Sequence, residues 1–159
     1  MKIVSAVKHS LVGTVVTIGL LSAHTAAGFE VTTVKKGNFD SDLIISADKL
    51  LIEAEIASDL IAAGGEIEVN SNIKGDVLVV GGRIDVTKTI QGGLMAMAGN
   101  LSMEADVLDA VSIFAGKAKV SGDIKGDALA IGGKLDFTGD VDGDLRAAAG
   151  KLTLRDRIN

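Results

Sequence analysis

Apolar residues recur in this chain at two nested periods. At short range they alternate with polar ones, as in Ile67/Val69, Ile84/Val86, Leu135/Phe137 and Leu152/Leu154, the signature of a strand with one buried face. At long range the pattern repeats every 17 residues. From Asp40 the sequence divides without a gap into DSDLIISADKLLIEAEI, ASDLIAAGGEIEVNSNI, KGDVLVVGGRIDVTKTI, QGGLMAMAGNLSMEADV, LDAVSIFAGKAKVSGDI, KGDALAIGGKLDFTGDV and DGDLRAAAGKLTLRDRI. With Asp40 as position 1, position 17 is always β-branched (Ile56, Ile73, Ile90, Val107, Ile124, Val141, Ile158), and position 9 is glycine in every unit after Asp48. Such a unit is too short for a pair of helices. It predicts an all-β fold, a single-stranded parallel β-helix (solenoid) of about seven coils over residues 40–158, with neighbouring coils about 4.8 Å apart.

An odd repeat length has a consequence for the side chains. Alternation returns to the same face after 17 residues only if each coil contains one slip. Two corners are candidates: the glycine pair (Gly64-Gly65, Gly81-Gly82, Gly132-Gly133) and the Gly-Asp step (Gly75-Asp76, Gly126-Asp127). Positions 4 to 7 are apolar in most coils, for example Val77-Leu78-Val79-Val80 and Leu94-Met95-Ala96-Met97. An alternating strand turns two of these four outward, giving one apolar flank on the rod. The candidates for self-association there are Leu78, Met95, Met97, Phe114, Leu129 and Ile131, with Met97/Phe114 and Met95/Leu129 as alternative outward sets.

Residues 1–27 read as a signal peptide: Lys2 and Lys8 precede an apolar stretch from about Leu11 to Leu21, and Thr25-Ala26-Ala27 supplies small residues for cleavage between Ala27 and Gly28. The apolar stretch falls short of the roughly 20 residues of a spanning helix. The mature chain is therefore expected to be exported, periplasmic or extracellular, without a membrane span, and residues 28–39 form an N-terminal lead-in or cap. Cleavage would take the net charge from −5 to about −7, a sign that disfavours nucleic acid and anionic lipid headgroups as electrostatic partners.

Little in the repeat supports catalysis. The histidines, His9 and His24, both lie in the signal, and cysteine is absent, which removes the usual bases, nucleophiles and zinc ligands. Carboxylate pairs such as Asp123 with Asp127 remain, but the register leaves no long loop to wall a cleft. Calcium is the better chemical alternative. Asp140, Asp142 and Asp144 lie close together in sequence, although 17 does not match the nine-residue calcium repeat. The simpler reading is that they are turn residues that bond nearby N–H groups.

The runs Ile73-Lys74-Gly75-Asp76, Gly122-Asp123-Ile124-Lys125-Gly126-Asp127 and Gly139-Asp140-Val141-Asp142-Gly143-Asp144 resemble the repeat of bactofilins, the polymer-forming bacterial cytoskeletal proteins. The resemblance implies a right-handed parallel β-helix and growth by end-to-end stacking without nucleotide. Bactofilins are typically cytoplasmic, whereas this chain opens on an export signal. Its Ile61-Ala62-Ala63 and Leu129-Ala130-Ile131 runs look more like those of exported relatives. The expectation is a non-enzymatic structural or scaffold protein with no cofactor, whose partner is itself, as a homo-oligomer or polymer, or a cell-envelope protein. A calcium- or polysaccharide-binding surface module is the alternative, and a carbohydrate-active β-helix enzyme a more remote one.

Overall fold

The computed structural model describes residues 31–34 and 38–155. The segment expected to be a signal, its expected cleavage point at Ala27 and Gly28, and Ile158 lie outside the described residues. Ten strands follow in order: β1 (Val31–Val34), β2 (Asn38–Phe39), β3 (Leu43–Ile52), β4 (Glu55–Ile56), β5 (Leu60–Val69), β6 (Val77–Val86), β7 (Leu94–Met103), β8 (Val111–Val120), β9 (Ala128–Phe137) and β10 (Leu145–Leu154). Eight of them form one parallel sheet in the order β1-β3-β5-β6-β7-β8-β9-β10. From β3 onward the long strands pair with a constant offset of 17, as in Leu60↔Val77 and Val111↔Ala128, with a gap in the register at position 9. A second line of pairing runs from β2 on β4 through the bridges Ile56↔Ile73, Ile73↔Ile90, Ile90↔Val107, Val107↔Ile124 and Ile124↔Val141. The molecule is thus a parallel β-solenoid with 17-residue coils, each containing one long bent strand and one short bridged segment.

Burial locates the slip. Positions 4, 6, 11, 13 and 17 point inward, as Leu60, Ala62, Ile67, Val69 and Ile73 show, all 0–1% exposed. From position 17 through 2 to 4 the alternation is unbroken. Between positions 8 and 11 it is not, because positions 9 and 10 both lie outside the core. The glycine pair is therefore the corner that absorbs the odd residue, and the Gly-Asp step is not.

Position 9 demands glycine because of close approach. A Cβ on Gly99 would lie 2.8 Å from the carbonyl oxygen of Gly82, and one on Gly116 2.8 Å from that of Gly99.

Inside the rod like stacks on like. Ile56, Ile73, Ile90, Val107, Ile124 and Val141 form one continuous column, each 0–1% exposed. Core columns 11 and 13 are 0–4% exposed from β3 to β9, whereas their β10 members Leu152 and Leu154 are 41% and 44% exposed.

Candidate functional site: the apolar flank and the aspartate corner

The first half of each long strand builds the flank. Positions 4 and 6 are drawn inward by the core, so positions 5 and 7 must face solvent. Met95, Met97, Leu129 and Ile131 are 42%, 42%, 38% and 44% exposed, while Leu78 and Phe114 are half-buried on the same side. Met97/Phe114 and Met95/Leu129 are consequently not alternatives. Positions 5 and 7 share a parity, and all six residues lie on one face. Ile44, Ile61 and Val80, at 49%, 40% and 43% exposure, extend the strip, and the same parity would have added them. Ser112 breaks column 5 between Met95 and Leu129, and Arg146 closes it in β10. A shallow depression of about 440 Å³ beside the strip is lined by Ile61, Leu78 and Met95, with Asp59, Asp76 and Asp109 at its edge.

That acidic edge is the Gly-Asp corner, and its carboxylates are committed to backbone. The N–H of Asp76 donates to Asp59 Oδ1 at 2.8 Å, that of Gly93 to Asp76 Oδ1 at 2.8 Å, and that of Asp144 to Asp127 Oδ1 at 2.9 Å. A parallel ladder runs at position 16, where the N–H groups of Asp123 and Asp140 donate to Asp106 and Asp123 Oδ1 at 3.0 and 3.1 Å. These acceptors serve the next coil and not their own turn, which corrects the expectation of a local turn bond for them, whereas Asp109 does accept from the N–H of Ala110 in its own turn at 2.8 Å. The glycine before the aspartate has its reason here as well. A Cβ on Gly143 would stand 2.5 Å from Asp127 Oδ1, and on Gly75 or Gly92 it would collide with the carboxylate of Asp59 or Asp76. At the first coil, Asp42 accepts from the Ser58 hydroxyl and the Asp59 N–H, and these bonds hold its carboxyl below its ordinary range, the hydroxyl contributing most.

Two of the three candidate calcium ligands have cationic partners, and the third is tied to the coil below through its backbone. Asp142 pairs with Lys125 at 3.1 Å, Asp144 lies 3.6 Å from Arg146, and the Asp140 N–H is bonded to Asp123. Among the described residues no three acidic, histidine or cysteine side chains converge on a point that could hold a metal ion. The Asp142 carboxylate in turn raises the pKa of Lys125 through their hydrogen bond and charge attraction.

Comparison with family models, with curated proteins and with solved structures finds no match to this chain.

Proposed function

We propose that this chain is a non-enzymatic structural protein that associates with copies of itself through its apolar flank. The observation that carries the reading is the pair of outward columns at positions 5 and 7, where Ile44, Ile61, Val80, Met95, Met97, Leu129 and Ile131 are 38–49% exposed on five of the first six coils. A flat parallel sheet face presenting two files of large apolar side chains costs free energy in water, and a second such face removes it. The strip is about 30 Å long and 10 Å wide, roughly 300 Å². Two strips face to face bury about 600 Å², below the roughly 1,200 Å² of a stable complex. The contact is therefore weak and reversible. The bactofilin-like repeat supports the same class of role, and the export signal read in the N-terminal segment supports a location at the cell envelope, where an envelope protein is the other candidate partner.

A second reading has its own observation. Leu152 and Leu154 leave two core columns uncovered at the last described coil, and a coil of another copy would cover them. Sedimentation velocity over a concentration series tests the flank directly. Wild-type mature protein is expected to move to larger species as concentration rises, and Met97→Glu/Ile131→Glu to remain small with its β-sheet circular dichroism intact. Wild-type protein that stays monomeric at high micromolar concentration would remove the basis of the reading.

A further inference from the structure

Across the glycine corner from the flank, the charge pattern of the solenoid changes along its axis. Position 10 begins with alternating signs, Lys49, Glu66 and Arg83 in register. There Lys49 bridges Glu66 at 3.1 Å and Glu68 at 3.4 Å, so the column neutralises itself. After Asn100 it becomes uniformly positive, with Lys117 paired in register to Lys134, and Lys134 to Lys151. Like charges directly opposite on neighbouring strands destabilise a sheet. Among the described residues no carboxylate lies in ion-pair contact with any of the three. Lys119 adds a fourth cation on the same face. The acid among them, Asp136, has its nearest cation in Arg155, with Nε 3.8 Å from Oδ1. Lys117, Lys119 and Lys134 border a depression of about 250 Å³ that also touches Ala118, where the neighbouring coils carry the larger Leu101 and Leu135.

We propose that the Lys117–Lys134–Lys151 column binds a linear anionic polysaccharide lying parallel to the solenoid axis. The cations are collinear and repeat at the coil spacing of about 4.8 Å, so they match a ligand whose charges also repeat along a line, whereas a lone small anion would engage two of them at most. Gly116, Gly133 and Gly150, one position before each lysine, form a side-chain-free furrow that no substitution has filled, because each Cβ would sit 2.8–3.1 Å from the carbonyl below. A thin chain fits such a furrow. A membrane surface is planar and would also meet Glu66, Glu68 and Asp85 on the same face. Single-stranded nucleic acid draws much of its affinity from aromatic stacking, and positions 10 and 12 carry no aromatic residue in any described coil. The site lies off the apolar flank and does not depend on self-association.

Binding of polygalacturonate to the mature protein, followed by calorimetry at about 20 mM salt and again at about 200 mM, tests the assignment. Wild-type protein should bind and should weaken as salt rises. Lys117→Gln/Lys134→Gln/Lys151→Gln should lose about tenfold or more in affinity. Lys74→Gln/Lys88→Gln/Lys125→Gln, which removes the same charge elsewhere, should bind as wild type does. The single Lys134→Gln, at the centre of the column, repeats the test with one change. No binding by wild-type protein, or equal losses in the two triple variants, would overturn the proposal. So would lysine-dependent binding of oligo-dT, polyglutamate or phosphatidylglycerol vesicles as tight as that of polygalacturonate.

Discussion

Ser71 is 5% exposed at position 15 of its coil, and its Oγ has no hydrogen-bond partner. A buried hydroxyl without a partner carries its desolvation cost uncompensated. Ala54 and Ala105 fill the same column at 1% exposure, so alanine has room there. Ser71→Ala should therefore leave the melting temperature unchanged or raise it, by up to about 1 kcal/mol in stability. The opposite holds for residues that fit. Ile124 is fully buried between Val107 and Val141, and Ile124→Ala should cost about 2–5 kcal/mol in urea denaturation through the cavity it leaves. Gly116→Ala should cost about 1–3 kcal/mol by overpacking, because its methyl meets the Gly99 carbonyl at 2.8 Å. A neutral Gly116→Ala would mean that the coils separate more easily than their register suggests.

At the scale of the coil, three exposed groups with partners on the neighbouring coil couple stability to pH. Asp42 has its carboxyl lowered from its ordinary value of 3.8, first by the Ser58 hydroxyl and then by the Asp59 N–H. Its contribution is thus present above that unfolded value and lost as pH falls through the lower folded one. Lys49 and Lys125 are raised above 10.5, mainly by Glu66 and Asp142. Theirs is present below the unfolded value and lost as pH rises through the higher folded one. All three groups are exposed, so each effect is small. Asp42→Asn should flatten the acid limb of a melting-temperature profile while leaving neutral pH nearly unchanged, and an unaltered acid limb would show that the Ser58 bond does not persist in solution. The 17-residue period, the inward column at position 17 and the outward polar pair at positions 10 and 12 were legible in the sequence because each repeats at one spacing. The slip was not. Its choice depends on where the carbonyl of the coil below stands under Gly82 or Gly99, which is a contact between coils and leaves no mark within one. For the same reason corner aspartates such as Asp123 and Asp127 look like local turn residues in the sequence, although their carboxylates accept from the coil above. The six flank candidates needed only parity to be united, since Met95 and Met97 are two residues apart.

For the whole molecule the two modes of association differ in symmetry as well as in residues. Flank against flank uses the same surface on both copies and closes as a dimer, whereas one coil end on the other end of the next copy is heterologous and continues as a filament. The flank buries about 600 Å² in a pair, which predicts a weak, reversible contact. Among the described residues β10 is the edge strand of the sheet and carries Leu152 and Leu154 at 41% and 44% exposure, and such an edge invites another chain. Electron microscopy and sedimentation of two variants separate the modes. Met97→Glu/Ile131→Glu places charge on the flank and leaves the last coil untouched. Leu152→Glu/Leu154→Glu places charge at the coil end and leaves the flank untouched. If the flank is the principal contact, wild-type protein should show discrete dimers, the first variant should sediment as a monomer, and the second should still dimerise. Both variants should keep the wild-type circular dichroism, because every altered side chain already meets solvent and no carboxylate is forced into the core. Filaments that survive the flank changes and vanish with the end changes would transfer the assembly role to the coil end and reduce the apolar strip to a lateral contact between filaments.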